Sequence, residues 1–316
     1  VTGMIGVPAL WQLLERRIQS QVKEQGELFE AIVDSAMALN RQLGKSAKLD
    51  LGRLLFAPIH GRLGGNIRFL VSGGAALPTE TQQFYNGLGL FLTEGYGLTE
   101  AAPVLTVANG APGAKVGTVG KSIPGITVKI KDPDEKGIGE VLAKGPNVMQ
   151  GYFNNEDATN AAFDNDGWLK TGDMGKLDSK GRLVLVGRAK EVVVTAAGEN
   201  IYLDDVETTI GSIRFIKEYV LVGLTDPRGG ERLGMLAVID DESTLDRSQL
   251  ETNARDAIKK AISELPSFQR PAVWHIVDAD LPRTRTRKIQ RGESKIILER
   301  IIAATPQSSK KSDISS

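Results

Sequence analysis

The chain contains no cysteine. That removes disulfides, thiolate metal sites and a cysteine nucleophile, so any thiol chemistry has to come from a substrate. Histidine is almost absent. His60 and His275 are the only two, and two isolated histidines make neither a metal site nor a triad; both read as structural. An excess of charge of either sign is missing as well: 39 Lys and Arg balance 39 Asp and Glu. Bulk electrostatics therefore gives no reason to expect nucleic acid as a partner. No run of about 18 apolar residues exists to offer a spanning helix, and no signal peptide is visible.

What is present is ordinary in bulk and specific in detail. At roughly 150 residues per domain, 316 residues allow two domains. The hydrophobic share of 41% and charged share of 25% are those of a soluble globular protein. Leu10, Leu13, Leu14, Arg17 and Ile18 recur at helical spacing, as do Phe29, Ile32, Val33, Ala36 and Leu39, with Gly26 and Gly44 as punctuation. Ile67 to Ser72 reads as a strand running into Gly73-Gly74-Ala75-Ala76-Leu77, and Pro78 suits the start of a helix. A second apolar run, Leu88 to Leu92, reads as a strand leading to a glycine-rich turn.

From about 116 to 187 the pattern changes to short strands and turns, the signature of a small β-barrel or sheet. Near Arg188 a new unit begins. Val192 to Thr195, Tyr219 to Gly223, Leu236 to Ile239 and Ala272 to Val277 read as strands. Leu250, Ala254, Ala257, Ile258, Ala261, Ile262 and Leu265 form one face of a helix that ends before Pro266. The tail from Thr305 is polar and aperiodic and is expected to be disordered.

Three segments carry the chemistry. They are Thr93-Glu94-Gly95-Tyr96-Gly97-Leu98-Thr99-Glu100, Trp168-Leu169-Lys170-Thr171-Gly172-Asp173, and Leu281-Pro282-Arg283-Thr284-Arg285-Thr286-Arg287-Lys288-Ile289. In this order and at these separations they resemble the adenylate-forming superfamily of acyl-CoA synthetases, luciferases and peptide-synthetase adenylation domains. The resemblance implies a mixed α/β (α+β) fold. Residues 1–187 would be the later part of the large adenylate-binding domain, ending in a β-barrel subdomain. Residues 188–303 would be a small mobile domain, and 304–316 a disordered tail.

It also implies roles, residue by residue. Gly73, Gly74 and Ala75 match the adenine-side loop, where small residues let backbone approach a flat base; an ordinary strand-to-helix turn is the other reading. Tyr96 matches the aromatic that packs on adenine, with a core tyrosine as the alternative, and Gly97 belongs to the same nucleotide loop. Thr99 and Glu100 match the phosphate and magnesium positions, and a carboxylate suits a hard Mg²⁺ ion. Asp173 matches the carboxylate that accepts from the ribose hydroxyls. Arg188, in Gly187-Arg188, is a second ribose contact or an interdomain salt bridge.

Further along, Lys190 falls on the hinge, and Gly198 on a glycine loop at the thioester-forming site. Lys288 falls on the adenylation lysine. Two positions depart from the family: Leu203 stands where many relatives have proline, and Arg287 where a glycine is usual. A basic patch for nucleic acid or membrane headgroups is the other reading of Arg283, Arg285, Arg287 and Lys288. No aromatic is interleaved there, as nucleic-acid recognition would want.

The chain begins Val1-Thr2-Gly3, and none of the residues before Gly95 forms the Ser/Thr/Gly-rich loop that would cradle the β- and γ-phosphates. The expectation is therefore the C-terminal part of a long-chain fatty acyl-CoA synthetase, inactive by itself. The substrates implied are fatty acid, ATP with Mg²⁺, and coenzyme A. A fatty acyl-AMP ligase loading a carrier protein and a non-catalytic adenylate-binding module stay open. The expected setting is cytoplasmic, with peripheral membrane association and a homodimer of the full-length enzyme among the partner expectations, and no nucleic acid.

Overall fold

The computed structural model describes residues 2–227, 229–240, 246–284 and 288–304. They form two compact units that divide between Ala189 and Lys190, taken in turn below. Arg285, Thr286 and Arg287, and the tail from Thr305, lie outside the described residues.

The first unit opens with β1 (Gly3–Gly6), α1 (Pro8–Lys23), α2 (Glu27–Ala47), α3 (Gly52–Leu55) and α4 (Ala57–Arg62). Then come β2 (Phe69–Ser72), α5 (Thr79–Gly87), β3 (Leu92–Gly97), β4 (Val104–Val107) and β5 (Lys121–Ser122). Strands β1, β2 and β3 lie parallel, and β4 and β5 extend the sheet antiparallel. Trp11, Val33, Met37, Phe84, Tyr85, Leu70 and Leu92 pack the helices onto this sheet in one core.

The two long helices appear where their periodicity places them, with Gly26 at φ 102° between them. Gly44, expected as punctuation, lies inside α2. A Cβ there would sit 3.1 Å from the Gly113 nitrogen, so glycine allows close packing rather than ending the helix. The buried stripe of α2 is Val33, Met37, Asn40 and Gly44, while Phe29, Ile32 and Leu39 are exposed. A polar residue can join that stripe because Asn40 is satisfied. Its Nδ2 donates to the Gly87 carbonyl (3.1 Å) and to Asp50 (2.9 Å), and its Oδ1 accepts from the Leu51 amide (2.7 Å).

The second apolar run behaves differently from the expectation. Leu88 and Leu90 are buried, but Leu88 caps α5 and the strand begins only at Leu92. Thr93 to Gly97 is thus strand rather than turn. Gly97 ends it where the neighbouring backbone comes closest: a Cβ there would lie 1.8 Å from the Pro103 carbonyl oxygen.

The rest of the first unit is β6 (Thr127–Lys131), β7 (Gly139–Lys144), α6 (Glu156–Ala162), β8 (Leu169–Leu177) and β9 (Leu183–Arg188). The expected barrel region takes the form of a four-stranded antiparallel sheet in the order β6-β7-β8-β9, without closure between its end strands among the described residues. Leu183 also bridges to Gly120. Tyr96, Ala101 and Leu105 share a core with Val141, Ala143 and Leu183, so the two sheets of this unit are packed together.

The second unit comprises β10 (Val192–Val194), β11 (Asn200–Tyr202), α7 (Leu203–Ile210), β12 (Ile216–Thr225), β13 (Glu231–Ile239), α8 (Arg247–Ser263), β14 (Val273–Val277) and α9 (Arg291–Ala304). Strands β12 and β13 pair antiparallel, and β14 adds parallel to β13. α8 buries Leu250, Ala254, Ile258 and Ile262, four of the seven residues on the face read from the sequence. Its N-cap is Asp246, whose Oδ1 accepts from the amides of Ser248 (3.0 Å) and Gln249 (3.1 Å). Asp246→Ala is expected to cost about 1 kcal/mol, the usual loss of such a cap, seen as a lowered denaturant midpoint without loss of fold.

Candidate functional site

β1, β2 and β3 run in parallel, so their carboxyl ends share one edge of the sheet, the place where open α/β sheets build ligand sites. β2 ends at Ser72, in register with Glu94, and β3 runs three residues further. The Gly73-Gly74-Ala75 loop therefore lies alongside Gly95. The Gly73 amide donates to the Gly6 carbonyl (3.0 Å), and a Cβ on Gly73 would sit 3.6 Å from the Gly95 carbonyl oxygen. Gly73 and Ala75 are half-buried and Gly74 is exposed at φ 81°. This stretch is open backbone at the strand ends.

Tyr96 is buried, with its ring in the core shared by the two sheets. Its hydroxyl donates to Asp173 Oδ2 at 2.6 Å. Arg188 Nε holds the other oxygen, Oδ1, at 2.8 Å. Asp173 and Arg188 face each other in register across β8 and β9. The Asp173 amide donates to Thr171 Oγ1 (3.1 Å), whose hydroxyl donates to the Val141 carbonyl (2.8 Å). Burial pushes the Tyr96 phenol up, and the Asp173 carboxylate beside it pushes it further, so the phenol stays a donor. The three side chains come from segments 77 residues apart or from neighbouring strands, and they meet as one hydrogen-bonded group.

Arg188 is half exposed and pairs within its own unit. This ion pair is within the first unit and is a different contact from the interdomain bridge given as its alternative role. Thr99 and Glu100 lie on a short 3-10 turn directly after β3. Thr99 is exposed and Glu100 half-buried, and Glu100 Oε1 accepts from the Tyr152 hydroxyl at 2.8 Å. Tyr152 carried no signal in the sequence. Among the described residues no group of three or more His, Cys, Asp or Glu is placed to hold a metal. Glu100 fits a magnesium ion only as a single protein ligand whose shell is completed by phosphate oxygens and water.

In the second unit, Lys190 is exposed on a 3-10 turn before β10. Gly198 sits at φ 80° at the tip of the β10–β11 hairpin, its amide donating to the Thr195 carbonyl (2.9 Å), with no atom within 4 Å of where a Cβ would lie. Lys288 is exposed. Its amide donates to Thr284 Oγ1 (3.1 Å) and its carbonyl accepts from the Thr284 amide (2.8 Å). Arg283 is ion-paired to Glu218, so it is not part of a free basic patch. His60 is buried against the Leu88 carbonyl (2.8 Å), a structural role as read.

Sequence reasoning passed over Glu94, although it stands inside the first motif. It is 7% exposed, and its Oε1 accepts from the Leu77 amide at 3.0 Å. Only its alternation with buried Leu92 along β3 could have marked it as inward-facing.

The AMP-binding enzyme family matches residues 1–153, and the AMP-binding enzyme C-terminal domain matches residues 205–288. The long-chain-fatty-acid–CoA ligase FadD15 of Mycobacterium bovis is 41% identical over 60% of this chain and 30% of its own length. The mouse long-chain-fatty-acid–CoA ligase ACSBG1 is 27% identical over 92% of this chain and 42% of its own. The chain thus spans well under half the length of these relatives.

Among solved structures, ATP-bound MatB from Rhodopseudomonas palustris superposes with a TM-score of 0.67 at 26% identity, covering 95% of this chain and 52% of that one. O-succinylbenzoate coenzyme A synthetase from Bacillus subtilis, in complex with ATP and magnesium ion, gives 0.59 at 30% identity, covering 72% and 46%. The mixed α/β fold is that of adenylate-forming enzymes, and the two family matches take in both units and most of the chain: it belongs to the AMP-binding enzyme family.

Proposed function

We propose that this chain carries the ribose, magnesium and lysine side of the adenylate site of a long-chain fatty acid–CoA ligase. The reaction couples a fatty acid carboxylate to AMP from ATP, expels pyrophosphate, and then passes the acyl group to the thiol of coenzyme A. The observation that carries the reading is the Tyr96–Asp173–Arg188 group, next to the open Gly73–Ala75 backbone at the carboxyl edge of a parallel sheet. The names of the relatives, fatty-acid–CoA ligases from bacteria and animals, supply the substrate class.

In this reading Asp173 accepts from the ribose hydroxyls while Tyr96 and Arg188 hold its carboxylate in place. Gly73, Gly74, Ala75 and Gly97 give the base room. Tyr96 packs on the base, and its hydroxyl also acts on the site through Asp173. Glu100, steadied by Tyr152, is the protein ligand for the Mg²⁺ that ATP brings, and Thr99 contacts phosphate. Screening of phosphate charge by such fixed groups is the protein's main contribution to this chemistry. Lys288 serves adenylation, Gly198 the thioester step, and Lys190 is the hinge between the two.

Titration calorimetry of this chain with AMP tests the ribose assignment. Asp173→Ala is expected to weaken binding by about 1.5–3 kcal/mol, the worth of a hydrogen bond to a charged group. Because that change also strands the Tyr96 hydroxyl, Asp173→Asn is the companion variant; it keeps an acceptor for Tyr96 and loses the charge. AMP affinity unchanged in both variants would end the assignment.

A further inference from the structure

Under the Gly73–Leu77 loop lies a carboxyl group that the reaction does not consume. Glu94 points from β3 to the face on which α5 packs, since it alternates with buried Leu92 and is in register with buried Ser72 of β2. Its Oε1 accepts the Leu77 amide at 3.0 Å, and Leu77 is itself buried. That one hydrogen bond ties the far end of the loop to the floor of the sheet. Ser72 is fully buried and its hydroxyl has no hydrogen-bond partner. Burying a carboxyl with a single hydrogen bond beside an unpartnered hydroxyl on the adjacent strand costs stability.

We infer that Glu94 is a positioning residue. Its carboxylate latches the Gly73–Leu77 loop through the Leu77 amide and so sets the backbone against which the nucleotide base rests. The inference builds on the nucleotide reading of the loop given above. It also makes that grip sensitive to pH. Burial pushes the Glu94 carboxyl up from its ordinary 4.5 to about 7, opposed only by the Leu77 hydrogen bond. No charged side chain of β2, β3, α5 or the loop contributes to that shift.

A carboxylate accepts from an amide about twice as strongly as a neutral acid does. The latch is therefore firm above neutrality and slackens as pH falls through about 7. By linkage, a nucleotide that needs the latched loop binds more tightly as pH rises through the same range.

The test is carried out on this chain, with wild type, Glu94→Gln and Glu94→Ala, using two readouts from pH 6 to 8.5. The first is hydrogen exchange at the Leu77 amide, which does not involve a nucleotide. The second is AMP affinity by calorimetry, with Glu94→Gln as reference so that the titration of the AMP phosphate cancels. Wild type is expected to gain Leu77 protection, and several-fold AMP affinity relative to Glu94→Gln, as pH rises. Glu94→Gln, which keeps an acceptor, is expected to be flat in protection and to retain binding. Glu94→Ala is expected to lose Leu77 protection and about tenfold in AMP affinity, the equivalent of one such hydrogen bond.

Leu77 equally protected in Glu94→Ala would overturn the latch and leave the nucleotide reading standing. The same pH profile in wild type and Glu94→Gln would overturn the titration. Leu77 responding as expected while none of the three proteins binds AMP would overturn the role in nucleotide binding, and with it the site reading on which the inference rests.

Discussion

Arg291→Ala is expected to destabilise the second unit by about 3–5 kcal/mol, the cost of breaking a buried ion network on one side only. Arg291 opens α9, and its side chain is 13% exposed. Its guanidinium makes a two-pronged contact with Glu207, Nη1 to Oε1 at 2.6 Å and Nη2 to Oε2 at 2.7 Å. Nε donates to Glu191 at 3.0 Å, Nη1 also reaches the Leu221 carbonyl at 2.8 Å, and Asp204 closes the ring. One side chain thereby joins the turn before β10, helix α7, strand β12 and helix α9.

Burial works against the charge of Arg291, but Glu207, Asp204 and Glu191 outweigh it and hold the guanidinium firmly protonated. Without the arginine, three carboxylates would face one another, with burial already pushing the Glu207 carboxyl up. Arg291→Lys keeps the charge but not the planar fork, and is expected to recover only part of the loss. Denaturant unfolding followed by circular dichroism checks this. A loss under about 1 kcal/mol for Arg291→Ala would mean that the network is worth no more than an exposed ion pair.

Lys288→Ala is expected to cut acyl-adenylate formation by about 10²-fold or more, the range for removing one fixed group from a developing charge. Lys288 is exposed, its backbone is pinned to Thr284 through both amide and carbonyl, and its ammonium has no partner among the described residues. Arg283 close by is instead bound to Glu218, which also accepts from the Leu281 amide. A held backbone with a free ammonium is what a group needs if its charge is to meet a ligand rather than a neighbour.

The check is single-turnover kinetics of each half-reaction, in the catalytically competent polypeptide that carries this sequence. Formation of acyl-AMP from ATP should collapse, while conversion of supplied acyl-AMP to thioester continues. A bulky replacement of Gly198 should do the opposite. Equal losses in both half-reactions for Lys288→Ala would argue that the lysine also serves the thioester step.

The sequence by itself determined the family and several of the helices and strands, and it proposed the chemical groups. These are local properties. A glycine pair after an apolar strand, an acid after Gly-Tyr-Gly-Leu-Thr, or a helical stripe such as Leu250, Ala254, Ile258 and Ile262 is written in a few consecutive turns of chain. The sequence also found most strands of the second unit, helped by the buried, nearly continuous apolar runs of β13 and of the middle of β12.

Only the tertiary structure decided which partners those groups take, because hydrogen bonds and ion pairs between distant segments leave no periodic trace. Tyr96 reads as an adenine aromatic, yet its hydroxyl is spent on Asp173, 77 positions away. Arg188 reads as a ribose contact or an interdomain salt bridge, and strand pairing across β8 and β9 gives it a partner that neither reading named, Asp173. The apolar run at Leu88 to Leu92 reads as a strand, but burial of Leu88 at the end of α5 starts the strand at Leu92. Arg291 reads as one more surface cation, and only the fold gathers carboxylates 84 to 100 positions away around it. Glu94 reads as a polar residue in a motif, and what turns it into a buried titrating latch is the parallel register that sets it beside Ser72, beneath the Leu77 amide.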